Sequence, residues 1–314
     1  MSYRLELEES FVDGVRRIGR EQSDKALQKL ESLEDLEDDI HATRKHCKKL
    51  RGLIRLVRPA MEKEYQLANE AFRDAARELA PMRDAHALLD TFDDMVSISA
   101  TPPSRLETVR TALEDDSAQA TERNDIEQRV ERAHELITAG ASRIPSWQVD
   151  DPLDAIEAGV RKTYKRGRNR LTESVEDGRV EDRHQWRKRV KYGWYHLRLV
   201  RNATPSVLGS LARAMHDLSD ALGDDHDLGV LRARIESDPG RYGDDQTVEA
   251  TLRLTAGWQF ALQRRALSLG RRLYVETPKR FSQRLAGYLR VWREHGAELE
   301  AGELDDVWDP VDLA

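Results

Sequence analysis

Two short patterns in this chain carry the same chemistry at the same spacing. His41-x-x-Arg44-Lys45-x-x-Lys48 and His184-x-x-Arg187-Lys188-x-x-Lys191 each gather an imidazole, a guanidinium and two ammonium groups. Arg offers a planar fork to two oxygens and Lys a compact charge with three donors, so the set suits phosphate or a similar oxyanion. The imidazole adds a proton-dependent member. Cationic neighbours favour its neutral ring, whereas a bound polyanion would favour imidazolium and add a donor.

At roughly 100° per residue, His41, Arg44, Lys45, Lys48, Arg51 and Arg55 form one continuous helix face. Thr43, Cys47, Leu50, Leu53, Ile54 and Val57 lie opposite, as an apolar face. His184, Arg187, Lys188, Lys191 and Arg198 repeat the stripe, with Trp186, Val190, Leu197 and Val200 behind it. No acid occurs from 41 to 61 or from 183 to 216. A solvated helix face usually interleaves signs, because like charges four residues apart destabilise a helix. An acid-free stripe occurring twice, in register around a histidine, is better explained by an anionic ligand.

The two stripes belong to a longer internal repeat. With an offset of 143, residues 41–88 match 184–231 at 14 of 48 pairs, where chance composition would give roughly three or four. The run Arg55-Leu56-Val57-Arg58 recurs as Arg198-Leu199-Val200-Arg201, and Asp74/Asp217 and Asp84/Asp227 also match. The preceding helices match at an offset of 145, setting Arg16, Arg17 and Arg20 beside Arg161, Lys162 and Lys165, and these six are expected to join the ligand-binding set.

Total charge hides this pattern. The 314 residues hold 51 Lys+Arg and 58 Asp+Glu, for a formal net charge of −7, which taken alone disfavours a polyanionic partner. Residues 41–58, 184–201 and 161–170 nevertheless carry seven, six and six basic residues and no acid; those 19 charges leave −26 on the rest. An acidic exterior around a basic interior favours a slim, base-free polyanion over a nucleic-acid duplex. The single Cys47 excludes an intramolecular disulfide and a zinc site built on several thiolates. No apolar run reaches the roughly 20 residues of a membrane span, and the start MSYRLELEES has no signal-peptide pattern, so a cytoplasmic protein is expected.

Helical periodicity dominates and predicts an all-α chain. Helices are expected at about 9–33, 38–58, 62–80, 83–95, 104–117 and 121–139, then at about 152–175, 181–202, 206–222, 226–237, 246–274 and 278–296. Turn chemistry separates them at Thr101-Pro102-Pro103, Ile144-Pro145, Asp238-Pro239-Gly240 and Thr277-Pro278. Short connections predict antiparallel bundles. The expected organisation is a first helical half over 1–145, a second over 146–300 and an acidic tail over 301–314.

The paired His-x-x-Arg-Lys-x-x-Lys motifs, each followed by an Arg-rich helix end, resemble the signatures of the CHAD domain, the conserved-histidine α-helical domain. The similarity spans roughly residues 8–298, and Arg83-Asp84 and His226-Asp227 resemble the family's acidic positions. The resemblance implies two pseudo-twofold-related four-helix bundles, with basic helices lining a central cavity or groove. It implies inorganic polyphosphate as ligand, with phosphate or sulfate ions able to enter the same site, and a location at polyphosphate granules. It implies no catalysis and no cofactor. Family members are often fused to a CYTH triphosphatase domain marked by an ExExK strand; Glu6-Leu7-Glu8 is followed by Glu9-Ser10, so that module is expected to be absent. One departure is that Arg51 and Gly52 stand opposite Trp194 and Tyr195, so the halves need not contribute equally.

Three other readings compete. His216, Asp217, Asp220, Asp224, Asp225, His226 and Asp227 could hold a hydrolytic metal, but only Asp217 and Asp227 persist in the repeat, so no metal site is expected. Trp186, Tyr192, Trp194 and Tyr195 could stack on bases of a single-stranded nucleic acid, although Trp186 falls on the apolar face. A scaffold docking an acidic protein helix on the stripe is the third.

Overall fold

The computed structural model describes residues 3–122, 126–176 and 179–301. It is all-α: helices and turns, with no strand among the described residues. The order is α1 (Phe11–Ser32), α2 (Leu36–Leu56), α3 (Arg58–Glu78), α4 (Ala80–Ser97), α5 (Glu107–Glu122), α6 (Ile126–Ala141), α7 (Pro152–Glu176), α8 (Val180–Leu199), α9 (Pro205–Ser237), α10 (Asp245–Leu273) and α11 (Pro278–Ala301). Apart from residue 301, the end of α11, the tail proposed for 301–314 lies outside the described residues.

Local signals set the starts. Ser10 caps α1 by accepting from the Asp13 N–H, and Asp35 caps α2 through the Asp38 N–H. Glu37, Asp38 and Asp39 fill the first turn of α2, where the positive end of the helix dipole favours acids. Prolines in the first turn open α3, α4 and α9, where a missing N–H costs nothing.

One element differs from the sequence expectation. Residues 206–222 and 226–237 form a single 33-residue helix, α9, whereas the matched stretch of the first half divides into α3 and α4. Pro81, in the first turn of α4, cannot donate a backbone hydrogen bond; the matched position in α9 is Asp224, which can. Gly223 does not break α9 either, and its missing side chain leaves room for the Arg187 guanidinium.

The main core runs from Tyr3 to Trp292 and joins α1, α2, α3, α6, α7, α8, α11 and parts of α9 and α10. A second core joins Phe92 and Met95 of α4, Val109 and Leu113 of α5, Leu228, Leu231 and Ile235 of α9, and Val248 of α10. The apolar faces assigned from periodicity are buried: Thr43, Cys47, Leu50, Leu53, Ile54 and Val57 on and just after α2, and Trp186, Val190, Leu197 and Val200 on and just after α8.

α2 and α8 pack against each other, and their contact places the stripes. Gly52 of α2 meets Tyr195 of α8: a methyl group on Gly52 would come within 2.9 Å of Tyr195 Cβ. These two residues are the pair matched by the 143-residue offset. Where two equivalent helices cross on a symmetry axis, a residue faces its own counterpart, so two bulky side chains cannot both occupy the position. Gly52 makes the room that Tyr195 fills.

Candidate anion-binding site

The stripe on α2 lies outward. His41, Lys45 and Lys48 are exposed; Arg44 and Arg51 are half-buried. Arg44 donates to the Leu79 carbonyl at 3.0 Å, while Arg51 and Arg55 both donate to Asn69 Oδ1 of α3 at 3.2 Å. The Asn69 amide orients Arg51 and Arg55 without supplying a negative charge.

On α8, aromatic faces do similar work. Lys191 Nζ lies 4.4 Å from the Trp194 ring centre, and Arg198 lies 5.0 Å from Trp194 and 5.4 Å from Tyr3. Arg55 stacks on Tyr192 at 4.4 Å and Arg58 on Tyr65 at 4.5 Å. A ring face attracts a cation through its quadrupole and leaves the charge available to an anion.

The α2–α8 crossing brings the two stripes into one electrostatic unit. Burial first, then Arg187, Lys45 and Arg198, hold Lys191 below the usual lysine value, against the opposing pull of Asp220. Lys188 is lowered chiefly by burial, with Arg189 and Arg51 adding to it. Lys49 is pushed down to about 8 by burial and by Arg198 and Lys45. Lysines held down by neighbouring cations sit in positive surroundings, which an anion would relieve.

His184 behaves as a basic-stripe histidine should. Burial, His226, Lys188 and Arg187 push it down to about 4, so it is neutral at pH 7 without ligand. Its ring stacks on His226 of α9 at 4.1 Å, and Nδ1 of each, with Arg187 Nε, is buried without a hydrogen-bond partner.

α9 also brings acids to the second half of the site. Burial and the neighbouring Asp220 and Asp227 raise Asp224 to about 6. The group considered as a metal cluster is divided among separate partners. His216 pairs with Asp220 and meets the edge of Trp194. Buried Asp225 accepts from Arg183 and Gln263, both at 2.7 Å, and His226 turns to His184.

The flanking α1 and α7 residues differ from one another. Arg17 is committed to carboxylates: Nη2 and Nε donate to Glu9 at 2.6 and 2.7 Å, and Nη1 to Glu21 at 3.1 Å. Arg16 donates to the Trp147 carbonyl at 2.9 Å, and Arg20 is exposed. Arg161, Lys162 and Lys165 are exposed along α7 beside Asp154 and Glu157. Lys162 also joins a second set. With Arg55, Arg58, Thr163, Arg166, Arg189 and Tyr192 it lines a shallow, part-open recess between the α2–α3 junction, α7 and α8. Arg58, Arg166, Arg189, Lys49 and Tyr192 were not among the predicted site residues. Arg58 sat in the repeated run and Arg166 in the acid-free window, but Arg189 lies about 140° from His184 on α8, off the stripe. The side chains of Arg83 and Asp84 lie outside the described ones.

Comparison with known proteins agrees with this architecture. A family model described as the CHAD domain matches residues 17–236. The chain belongs to the CHAD family. Among solved structures it is similar to the CHAD domain from the plant Ricinus communis, with a TM-score of 0.59 and 16% identity over 87% of this chain and 94% of that one. No curated protein matches it at a significant level. No helix among the described residues is long and apolar enough to cross a membrane.

Proposed function

We propose that this CHAD protein binds inorganic polyphosphate, without catalysis, along the joined α2 and α8 stripes. The observation that carries this reading is the cross-helix grouping in which Lys45 of α2 and Arg198 act on Lys191 of α8, and Arg51 of α2 acts on Lys188 of α8. His41, Arg44, Lys48 and Arg55 extend the face on α2, and His184 and Arg187 on α8. A polyphosphate chain would replace this repulsion with charge-assisted hydrogen bonds, favour the charged forms of the lysines and protonate His184. Trp186 and Tyr195 are fully buried, Trp194 nearly so, and half-buried Tyr192 already carries Arg55 on its ring, which leaves little ring surface for nucleobases and favours a base-free polyanion. A location at polyphosphate granules follows from the same reading.

The direct test is Lys48→Glu combined with Lys191→Glu. The expected result is loss of polyphosphate binding with unchanged helical circular dichroism; unchanged affinity would refute the stripe. Because Lys49 is held at about 8, affinity should also weaken as pH rises through 8–9, where the free protein must take up a proton to bind.

A further inference from the structure

The recess lined by Arg55, Arg58, Lys162, Arg166 and Arg189 is a concave cluster of five cations. Among the described residues, no carboxylate pairs with Arg58, Lys162, Arg166 or Arg189. Lys162 is lowered by burial and by Arg58, Arg166 and Arg55, and Arg189 by burial and by Arg166 and Arg55, with Tyr192 opposing. Arg55 Nε is buried and makes no hydrogen bond, although its Nη2 is held by Asn69 and its face by Tyr192. Thr163 adds a hydroxyl to the wall.

The sequence repeat provides an internal control. The offsets pair Lys162 with Arg17, Arg166 with Glu21, Arg55 with Arg198, Arg189 with His46 and Tyr192 with Lys49. Among those counterparts Arg17 pairs with Glu21, Arg198 and His46 lie close to Lys49, and the region is filled. Tyr3 sits against Arg198 and Lys49 and donates to the Lys49 carbonyl at 2.7 Å. Glu9 and Glu21 hold Arg17, and Asn202 ties down the segment through Leu5 O and Glu6. The N-terminal segment thus supplies a ring and carboxylates to one region. The other leaves its cations without a carboxylate partner among the described residues.

Resting on the polyphosphate reading above, we infer that this open recess is an end-binding site: it takes the terminal phosphate of a polyphosphate chain, or a short oligophosphate such as tripolyphosphate, one per protein. An internal phosphate carries one ionised oxygen. A terminal one has a second, ionising near pH 6 as in a phosphate monoester, and so presents about two charges to a cluster that holds no acid. A concave cluster suits a chain end, whereas the exposed stripe on α2 suits the run of the chain.

The test uses the full chain and isothermal titration with three probes: tripolyphosphate, long-chain polyphosphate, and the same long chain with both ends capped as phosphoramidates. Wild type should bind tripolyphosphate one to one and prefer the uncapped long chain by about tenfold. Arg166→Glu, which installs the acid of the counterpart position, and Arg189→Gln should each abolish tripolyphosphate binding and erase the preference. They should leave the capped chain's affinity within about twofold. Equal binding of capped and uncapped chains by wild type, or an unchanged preference in both variants, would overturn the inference while the stripe reading stands. Binding of tripolyphosphate and the uncapped chain without binding of the capped chain would keep the recess and sink the stripe. Binding of none of the probes would overturn both.

Discussion

The two halves of this protein share a basic device and differ in what surrounds it. On α2, the cations Arg44, Arg51 and Arg55 are braced by a carbonyl and an amide from α3 and its end. On α8, the matched stripe faces α9, where Asp220 and Asp224 oppose Lys191 and Arg187. The recesses reverse the comparison: the one involving α7 holds cations that no described carboxylate pairs, and its counterpart on α1 is closed by Tyr3, Glu9 and Glu21. A helix carries its own face from one half to the other. The neighbours that set the charge on that face need not follow.

The largest expected effect concerns the frame. A Cβ at Gly159 of α7 would lie 1.8 Å from the Leu56 carbonyl oxygen, a backbone atom that cannot step aside. At the matched Gly14 of α1, it would meet the Glu9 and Leu5 side chains at 2.6 and 2.7 Å. Gly159→Ala should therefore destabilise by about 3 kcal/mol and Gly14→Ala by about 1 kcal/mol in denaturant unfolding. Equal losses would mean that the N-terminal segment is as unyielding as the helix contact.

The next effect separates the cores. His196 is fully buried, and burial pushes it down to about 3, whereas the matched position is Leu53. The unfolded chain binds a proton below about pH 6.5, which the folded His196 refuses until near pH 3, so stability falls as pH drops through that window. His196→Leu should remove about 1–2 kcal/mol of this loss between pH 6.5 and 5, measured by urea midpoints. An unchanged pH profile would assign the acid sensitivity to other groups.

The smallest effect tests the acids opposite the second stripe. Asp224→Asn should strengthen polyphosphate binding about threefold at pH 7.5. The gain should fade below pH 6, because Asp224, held at about 6, then takes a proton itself. A gain that persists at pH 5 would point to a change of shape rather than charge.

Much of this was legible in sequence because it is periodic. The apolar faces of α2 and α8 and the spacing of the stripes follow from 100° per residue, and the charge segregation from counting. The continuity of α9 was missed because Gly223-Asp224-Asp225 resembles a break, although none of these residues forbids a helix as proline does. Arg17 was placed with the ligand-binding set because its own helix favours it. Its fate is decided by Glu9, on a segment that returns to α1. Arg189 and Arg166 were passed over because the recess is built from three helices that periodicity treats one at a time.

The central claim is that a base-free polyphosphate occupies the joined stripes. It is tested most directly by a salt-resolved competition between long-chain polyphosphate and single-stranded DNA of equal charge. Both affinities should fall linearly with the logarithm of salt, with a slope of roughly −0.7 per phosphate contact, as for single strands. The account predicts that polyphosphate displaces the DNA at every salt concentration. Equal affinity of the two polymers across the titration would contradict it.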